Sequence, residues 1–234
     1  MYSILSHVWQ SSPFETIKNA IQTITSTQGR RLNIISIGGG PGTDAAGLIW
    51  FNRHFLNGQI DCCLMDYEGS WKRYLTTLSS LFAPDVSLTF AHGDITTSLY
   101  NQANIHFAKA RLQVANIFVF SYVCRETSQA SAAQDLIFYR DLAKIAPLNS
   151  VFIFADVMRH CDDHFSAIAS AMMETLNEAS LGKNHDHHHD FCAEDFIAGT
   201  IQTIAVSEEL QRQLKSSIAL ALKRTSTKGP SIVR

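Results

Sequence analysis

The residues best suited to chemistry fall in three short stretches. The first is "NIISIGGGPGTDAAGL", Asn33 to Leu48, where an apolar run meets Gly38, Gly39, Gly40, Pro41 and Gly42. Gly38, Gly40 and Gly42 follow a G-x-G-x-G spacing. Glycine admits positive φ and lets the backbone approach a ligand with no Cβ in between, and Pro41 stiffens the loop. A helix starting near Thr43 and Asp44 would turn its first amides toward that ligand. The second stretch is "IDCCLMD", which ends on Asp66, 24 residues beyond Gly42. A carboxylate at a strand tip can accept hydrogen bonds from both hydroxyls of an adenosine ribose. The third is "AHGDI", with Gly93, Asp94 and Ile95. Asp94 can accept from an adenine amino group while the Ile95 amide donates to a ring nitrogen. Each stretch also has a plain structural reading: a tight strand-to-helix turn, a surface aspartate at a strand end, and an aspartate capping the turn before Ile95 and Thr96. The glycine spacing departs from the dinucleotide fingerprint G-x-G-x-x-G, because Thr43 stands where the last glycine belongs. It is not a P-loop either, since no Gly-Lys-Ser/Thr follows.

These residues need a scaffold, and the hydrophobic pattern supplies one. Continuous apolar runs predict strands over Leu32–Ile37, Gln59–Asp66, Val86–Asp94, Val114–Tyr122 and Ser150–Val157, with a last strand within Ser216–Ser226. Helical spacing fills the gaps, over Ser11–Thr27, Thr43–Leu56, Gly69–Phe82, Ser128–Ala146 and Asp163–Glu178. The first helix has Ser12 as cap, Pro13 in its first turn and apolar Phe14, Ile17, Ile21 and Ile24 on one face. Asn57-Gly58, Pro84 and Pro147 mark helix ends. Alternating elements with strands apolar on both faces predict an α/β fold: a doubly wound, mostly parallel sheet of about seven strands with helices on both faces. The expected organisation is one domain over 1–234. It has a helical N-terminal segment (1–30), a cofactor-binding core (31–160) and a C-terminal part (161–234) with a helix, a His-rich loop and terminal strands.

Together the glycine loop "IGGGPG", the acidic strand end "LMDYE", the "HGDI" turn and the fourth-strand segment "NIFVFSYV" resemble the class I S-adenosylmethionine-dependent methyltransferases, over roughly residues 33–157. The resemblance implies a Rossmann-like methyltransferase fold with S-adenosyl-L-methionine as cofactor. By the same resemblance the Gly38–Gly42 loop contacts the methionine part, Asp66 holds the ribose and Asp94 the adenine. Tyr67 and Ile95 flank the adenosine, and Ser121 or Tyr122 lies near the sulfonium.

Methyl transfer chiefly requires alignment of the acceptor, with a general base only if the acceptor must lose a proton. The catalytic residue is therefore weakly marked. Tyr122, Asp156 and His160 are the candidates, with His164 just beyond. Arg125 and Glu126 either pair on the surface or shape the pocket. The fourth-strand end "FSYVCRET" lacks the Asn/Asp-Pro-Pro-Tyr/Phe signature of many amino-nitrogen methylating enzymes and the Pro-Cys of cytosine C5 enzymes, so Cys124 reads as packed rather than nucleophilic. The "HDHHHD" patch over 185–190 holds competent metal ligands. Adjacent residues in one loop rarely close a site, and no metal is expected.

Composition narrows the classes. Hydrophobic residues make up 46% and charged residues 17%, with a formal net charge of −2. That balance carries no strong nucleic-acid footprint. Five cysteines without a CxxC pair point away from a zinc framework and toward a reducing compartment. No run reaches the about 18 apolar residues of a membrane helix, and no signal peptide is apparent, so a soluble cytoplasmic protein is expected. The acceptor is expected to be a small molecule rather than RNA or protein. The competing classes are a methyltransferase-like binding module without turnover and a nicotinamide oxidoreductase, the latter disfavoured by the glycine spacing and the "HGDI" turn. Oligomeric state is not readable.

Overall fold

The structure, a computed structural model, describes residues 15–82, 86–104, 111–147, 150–157, 162–181, 199–200 and 218–220. Its parallel strands are β1 (Arg31–Ile37), β2 (Gln59–Asp66), β3 (Val86–His92), β4 (Ile117–Ser121) and β5 (Val151–Val157). Helix α1 (Glu15–Thr27) precedes β1, the helices between the strands are α2 (Thr43–Phe51), α3 (Lys72–Phe82), α4 (Val123–Ala133) and α5 (Ile137–Ile145), and α6 (Asp162–Leu181) follows β5. Two short strands, β6 (Gly199–Thr200) and β7 (Ile218–Leu220), extend the sheet, β7 running antiparallel to both β5 and β6. The strand order is β3-β2-β1-β4-β5-β7-β6. This is the doubly wound, mostly parallel Rossmann-like sheet that the sequence predicts. The order reverses direction between β1 and β4, the point where open α/β sheets leave a crevice beyond their carboxyl ends.

Strands buried on both faces give two cores. One face gathers Leu32, Ile34, Ile60, Cys62, Leu64, Val119 and Ile153 under Ile21 and Ile24 of α1 and Ala45, Leu48 and Phe51 of α2. The other gathers Ile35, Ile37, Cys63, Met65, Phe118, Phe120, Phe152 and Phe154 under Phe138, Tyr139 and Leu142 of α5 and Phe165, Ile168 and Met172 of α6. The alternation along each strand is the period-2 pleat, with helices covering both sides. On the second face Phe120 stacks on Phe154 at 4.4 Å and Phe118 on Phe152 at 4.8 Å between ring centroids. These rings lock β4 against β5, and truncating one costs about 3–5 kcal/mol.

Two predicted helices differ in detail. The helix after the glycine loop closes with a wider turn over Asn52–Leu56, and Asn57 stops it in the left-handed region at φ 47°. There the buried Asn52 side chain clamps Gly58, accepting from its N–H (3.0 Å) and donating to its carbonyl (2.9 Å). The helix predicted over Ser128–Ala146 is instead two helices, and the first starts earlier, at Val123. Asp135 and Leu136 take positive φ, and the Ser131 carbonyl accepts from the amides of Gln134 and Leu136 to close the break. The chain turns there so that α5 can place Phe138, Tyr139 and Leu142 in the core. Among the described residues no helix is long and apolar enough to cross a membrane. The caps Ser12 and Pro13, His160 and the 185–190 patch lie outside the described residues.

Candidate active site

All five parallel strands end on one edge, and a cavity of about 670 Å³ opens there. Its wall includes Gly38, Gly40, Met65, Asp66, Tyr67 and Glu68 beyond β1 and β2, and Gly93, Asp94, Ile95 and Thr96 beyond β3. Ser121, Tyr122, Val123, Glu126 and Thr127 complete it on the β4–α4 side.

The glycine loop is tied to its neighbour strand. Gly38 N–H and Gly39 N–H both donate to the Met65 carbonyl, at 2.9 and 3.2 Å. Gly38 sits at φ +69°, and a Cβ there would come within 2.6 Å of Val123 Cβ, so only glycine lets the loop pass the start of α4. Gly40, at φ +48°, has open space where a Cβ would stand. Gly42 turns the other way, toward Leu78 and Leu64, while Gly39 packs on Ser36 and Leu64 and Pro41 is exposed; these three are not on the cavity wall.

The carboxylates at the strand tips are held by backbone donors. Asp66 Oδ2 accepts from Gly40 N–H and Oδ1 from Glu68 N–H, both at 2.9 Å. Asp94 Oδ1 accepts from the Thr96 amide (2.8 Å) and hydroxyl (2.7 Å). The fully buried Asn104 brackets Asp94, its Oδ1 accepting from the Asp94 amide and its Nδ2 donating to the Asp94 carbonyl, each at 2.8 Å. One layer deeper, buried Asp141 of α5 accepts from the Ser98 hydroxyl at 2.6 Å and the Leu99 amide at 3.2 Å. Ile95 is buried on the wall, and Tyr67 is 70% exposed with its ring 5.7 Å from that of His92.

Asp44 in the first turn of α2 lies under the seam between β1 and β4. Its Oδ2 accepts from the buried Ser36 hydroxyl at 2.9 Å. Burial pushes its pKa up, against the pull of the nearby Ser121 and Ser36 hydroxyls. Ser121 Oγ is itself buried and makes no well-formed hydrogen bond with a described residue. Next to it Tyr122 takes φ 59° and ψ 11°, a left-handed conformation that is uncommon for a non-glycine residue, and its side chain is partly exposed.

The sequence-predicted residues Gly38, Gly40, Asp66, Tyr67, Gly93, Asp94, Ile95, Ser121 and Tyr122 are thus brought onto one cavity. Asp156 pairs with Ala219 of β7 near the end of β5. Sequence reasoning missed Asp44, Asn104 and Asp141, whose roles depend on partners reached only through the fold. Cys124 is buried in the core, its sulfur 3.8 Å from the Tyr139 hydroxyl, and burial raises the pKa of Cys62 and Cys63. Among the described residues no group of three His, Cys, Asp or Glu is placed to hold a metal ion.

No family model and no curated protein matches the chain. Among solved structures it is similar to WbdD, with 14% identity over 60% of this chain and 28% of that one, TM-score 0.40. It is also similar to the CMeT domain of the citrinin polyketide synthase, with 12% identity over 70% and 52%, TM-score 0.42. A third is CalS10, an amino pentose methyltransferase from Micromonospora echinaspora, with 11% identity over 64% and 52%, TM-score 0.33. The chain spans less than two thirds of the length of each of these three.

Proposed function

We propose that the protein is an S-adenosylmethionine-dependent methyltransferase acting on a small-molecule acceptor. The observation that carries this reading is the convergence of an open Gly40, a backbone-anchored Asp66 and a braced Asp94 on one cavity at the β1–β4 switch point. In this reading Gly38 and Gly40 give backbone access to the methionine part, Asp66 faces the ribose hydroxyls, and Asp94 with Ile95 receives the adenine. The Ile95 N–H has no hydrogen-bond partner among the described residues, as a donor reserved for a ring nitrogen would. The bound cofactor supplies an electrophilic methyl group. The chain's own part is to orient the acceptor beside Ser121 and Tyr122 and to exclude water from the cavity floor. Calorimetry with S-adenosylhomocysteine beside NAD tests the reading: micromolar binding of the first and none of the second is expected. NAD binding, or no binding of the homocysteine compound by folded protein, refutes it.

A further inference from the structure

We propose that Asp141, which is not on the cavity wall, is the positioning residue for base selection: through Ser98 and Leu99 it holds the loop 94–104 in the setting that accepts a 6-aminopurine and rejects a 6-oxopurine. This rests on the cofactor reading above and names what decides its base. The groups that would read the base are Asp94 and Ile95 on the wall. Asp94 Oδ1 is taken by the Thr96 amide and hydroxyl, while Oδ2 makes no hydrogen bond with a described residue and stays available as an acceptor. The Ile95 N–H is likewise left as a donor. Adenine offers the complement, an amino N–H beside a ring-nitrogen acceptor. A 6-oxopurine inverts both, setting a carbonyl oxygen against Asp94 and a ring N–H against the Ile95 N–H. Such a pair discriminates only while its two members keep their directions.

Regular structure does not set those directions, because residues 94–104 form neither helix nor strand. Asn104 ties the loop to itself, bonding to the Asp94 amide and carbonyl, the Thr97 hydroxyl at 3.3 Å and the Ser98 carbonyl at 3.1 Å. Internal bonds of this kind give the loop a shape rather than an orientation on the sheet. Among the described residues, Asp141 is the only hydrogen-bond partner of this loop from outside it, one carboxylate oxygen accepting from both the Ser98 hydroxyl and the Leu99 amide. The Ser98 hydroxyl is fixed in direction, since it also accepts from the Tyr100 amide at 3.1 Å. Ile95 and Leu99 sink into the same core as Leu142, but apolar contact is non-directional. Asp141 is itself held fast, buried on α5 beside Phe138, Tyr139 and Leu142, which are all in the core. Burying a carboxylate is costly, and both hydrogen bonds that Asp141 makes with described residues go to this loop.

The test is calorimetry with S-adenosylhomocysteine and S-inosylhomocysteine, read as the ratio of the two dissociation constants. The parent is expected to prefer the adenosyl compound by about tenfold or more, the scale of one hydrogen bond to a charged group. Asp141→Ala should lower that preference by about threefold or more. A merely structural role would not move the ratio, because a loss of folded protein weakens both ligands by the same factor. Asp141→Asn keeps an oxygen for both donors and should keep most of the preference. Ser98→Ala removes one of the two bonds at a half-buried site and gives the same readout, in smaller measure, if Asp141→Ala does not fold. Equal binding of the two compounds by the parent overturns the inference while leaving the cofactor reading standing. So does the parental preference in Asp141→Ala, or in Ser98→Ala where Asp141→Ala does not fold. Failure of S-adenosylhomocysteine to bind the folded parent overturns both.

Discussion

The two sides of the cavity are built differently. On the β1–β3 side every acidic group is already anchored: Asp66 to two backbone amides, Asp94 to Thr96 and bracketed by Asn104, and the loop behind it pinned by Asp141. On the β4–α4 side Ser121 Oγ is buried near the Asp44 carboxyl, Tyr122 is held in a left-handed conformation and Glu126 makes no hydrogen bond or ion pair with a described residue. The contrast separates carboxylates tied to backbone donors from one, Glu126, that has no hydrogen-bond or ion-pair partner among the described residues. A preorganised first side suits a cofactor of fixed shape, because little ordering remains at binding. The unpaired Glu126 carboxylate and the left-handed Tyr122 on the second side suit the place where specificity and reaction are decided.

Four substitutions break or sharpen this contrast. The largest effect belongs to the seam. Gly38→Ala forces a side chain into Val123 and a strained φ onto alanine, costing about 3 kcal/mol; urea unfolding reads the loss, and near-parental stability would show that the two sides do not meet as described. Next, Asn104→Ala strips the bracket from Asp94 and leaves buried backbone groups unpaired, a cost of about 2 kcal/mol, with weaker S-adenosylhomocysteine binding in calorimetry. Tyr122→Gly works in the opposite direction. Glycine relieves the left-handed strain, so stability should rise by up to about 1 kcal/mol while acceptor binding falls. The smallest effect is at Asp44. Because folding raises its pKa, the native state holds this proton more tightly than the unfolded chain does. Its contribution to stability is therefore greatest at low pH, falls as pH rises from the ordinary aspartate value through the raised folded one, and stays low above it. Asp44→Asn should remove that part of the pH slope, measured by denaturant unfolding across the acid range.

The anchored side was also the legible one. β2 occupies Gln59–Asp66, as its apolar run predicts, and Asp66 and Asp94 were found because a carboxylate at the end of a buried run lands on the sheet edge. The braces were not legible. Asn104 reaches back ten residues and Asp141 contacts Ser98 forty-three residues away, and no local pattern announces such pairs. The break between α4 and α5 was missed for a related reason: Asp135 and Leu136 turn the chain at positive φ with neither glycine nor proline to mark it. Ser121 and Tyr122 were placed near the reaction by resemblance, but the buried Ser121 hydroxyl beside Asp44 and the left-handed Tyr122 backbone appear only in the folded chain.

The most direct test is calorimetry of S-adenosylhomocysteine binding to Asp66→Ala and Glu126→Gln side by side. The account predicts that Asp66→Ala weakens binding by about tenfold or more, the scale of lost hydrogen bonds to a charged group, while Glu126→Gln leaves it unchanged. Equal losses in the two variants, or full affinity in Asp66→Ala, would contradict the division of the cavity into a cofactor side and an acceptor side.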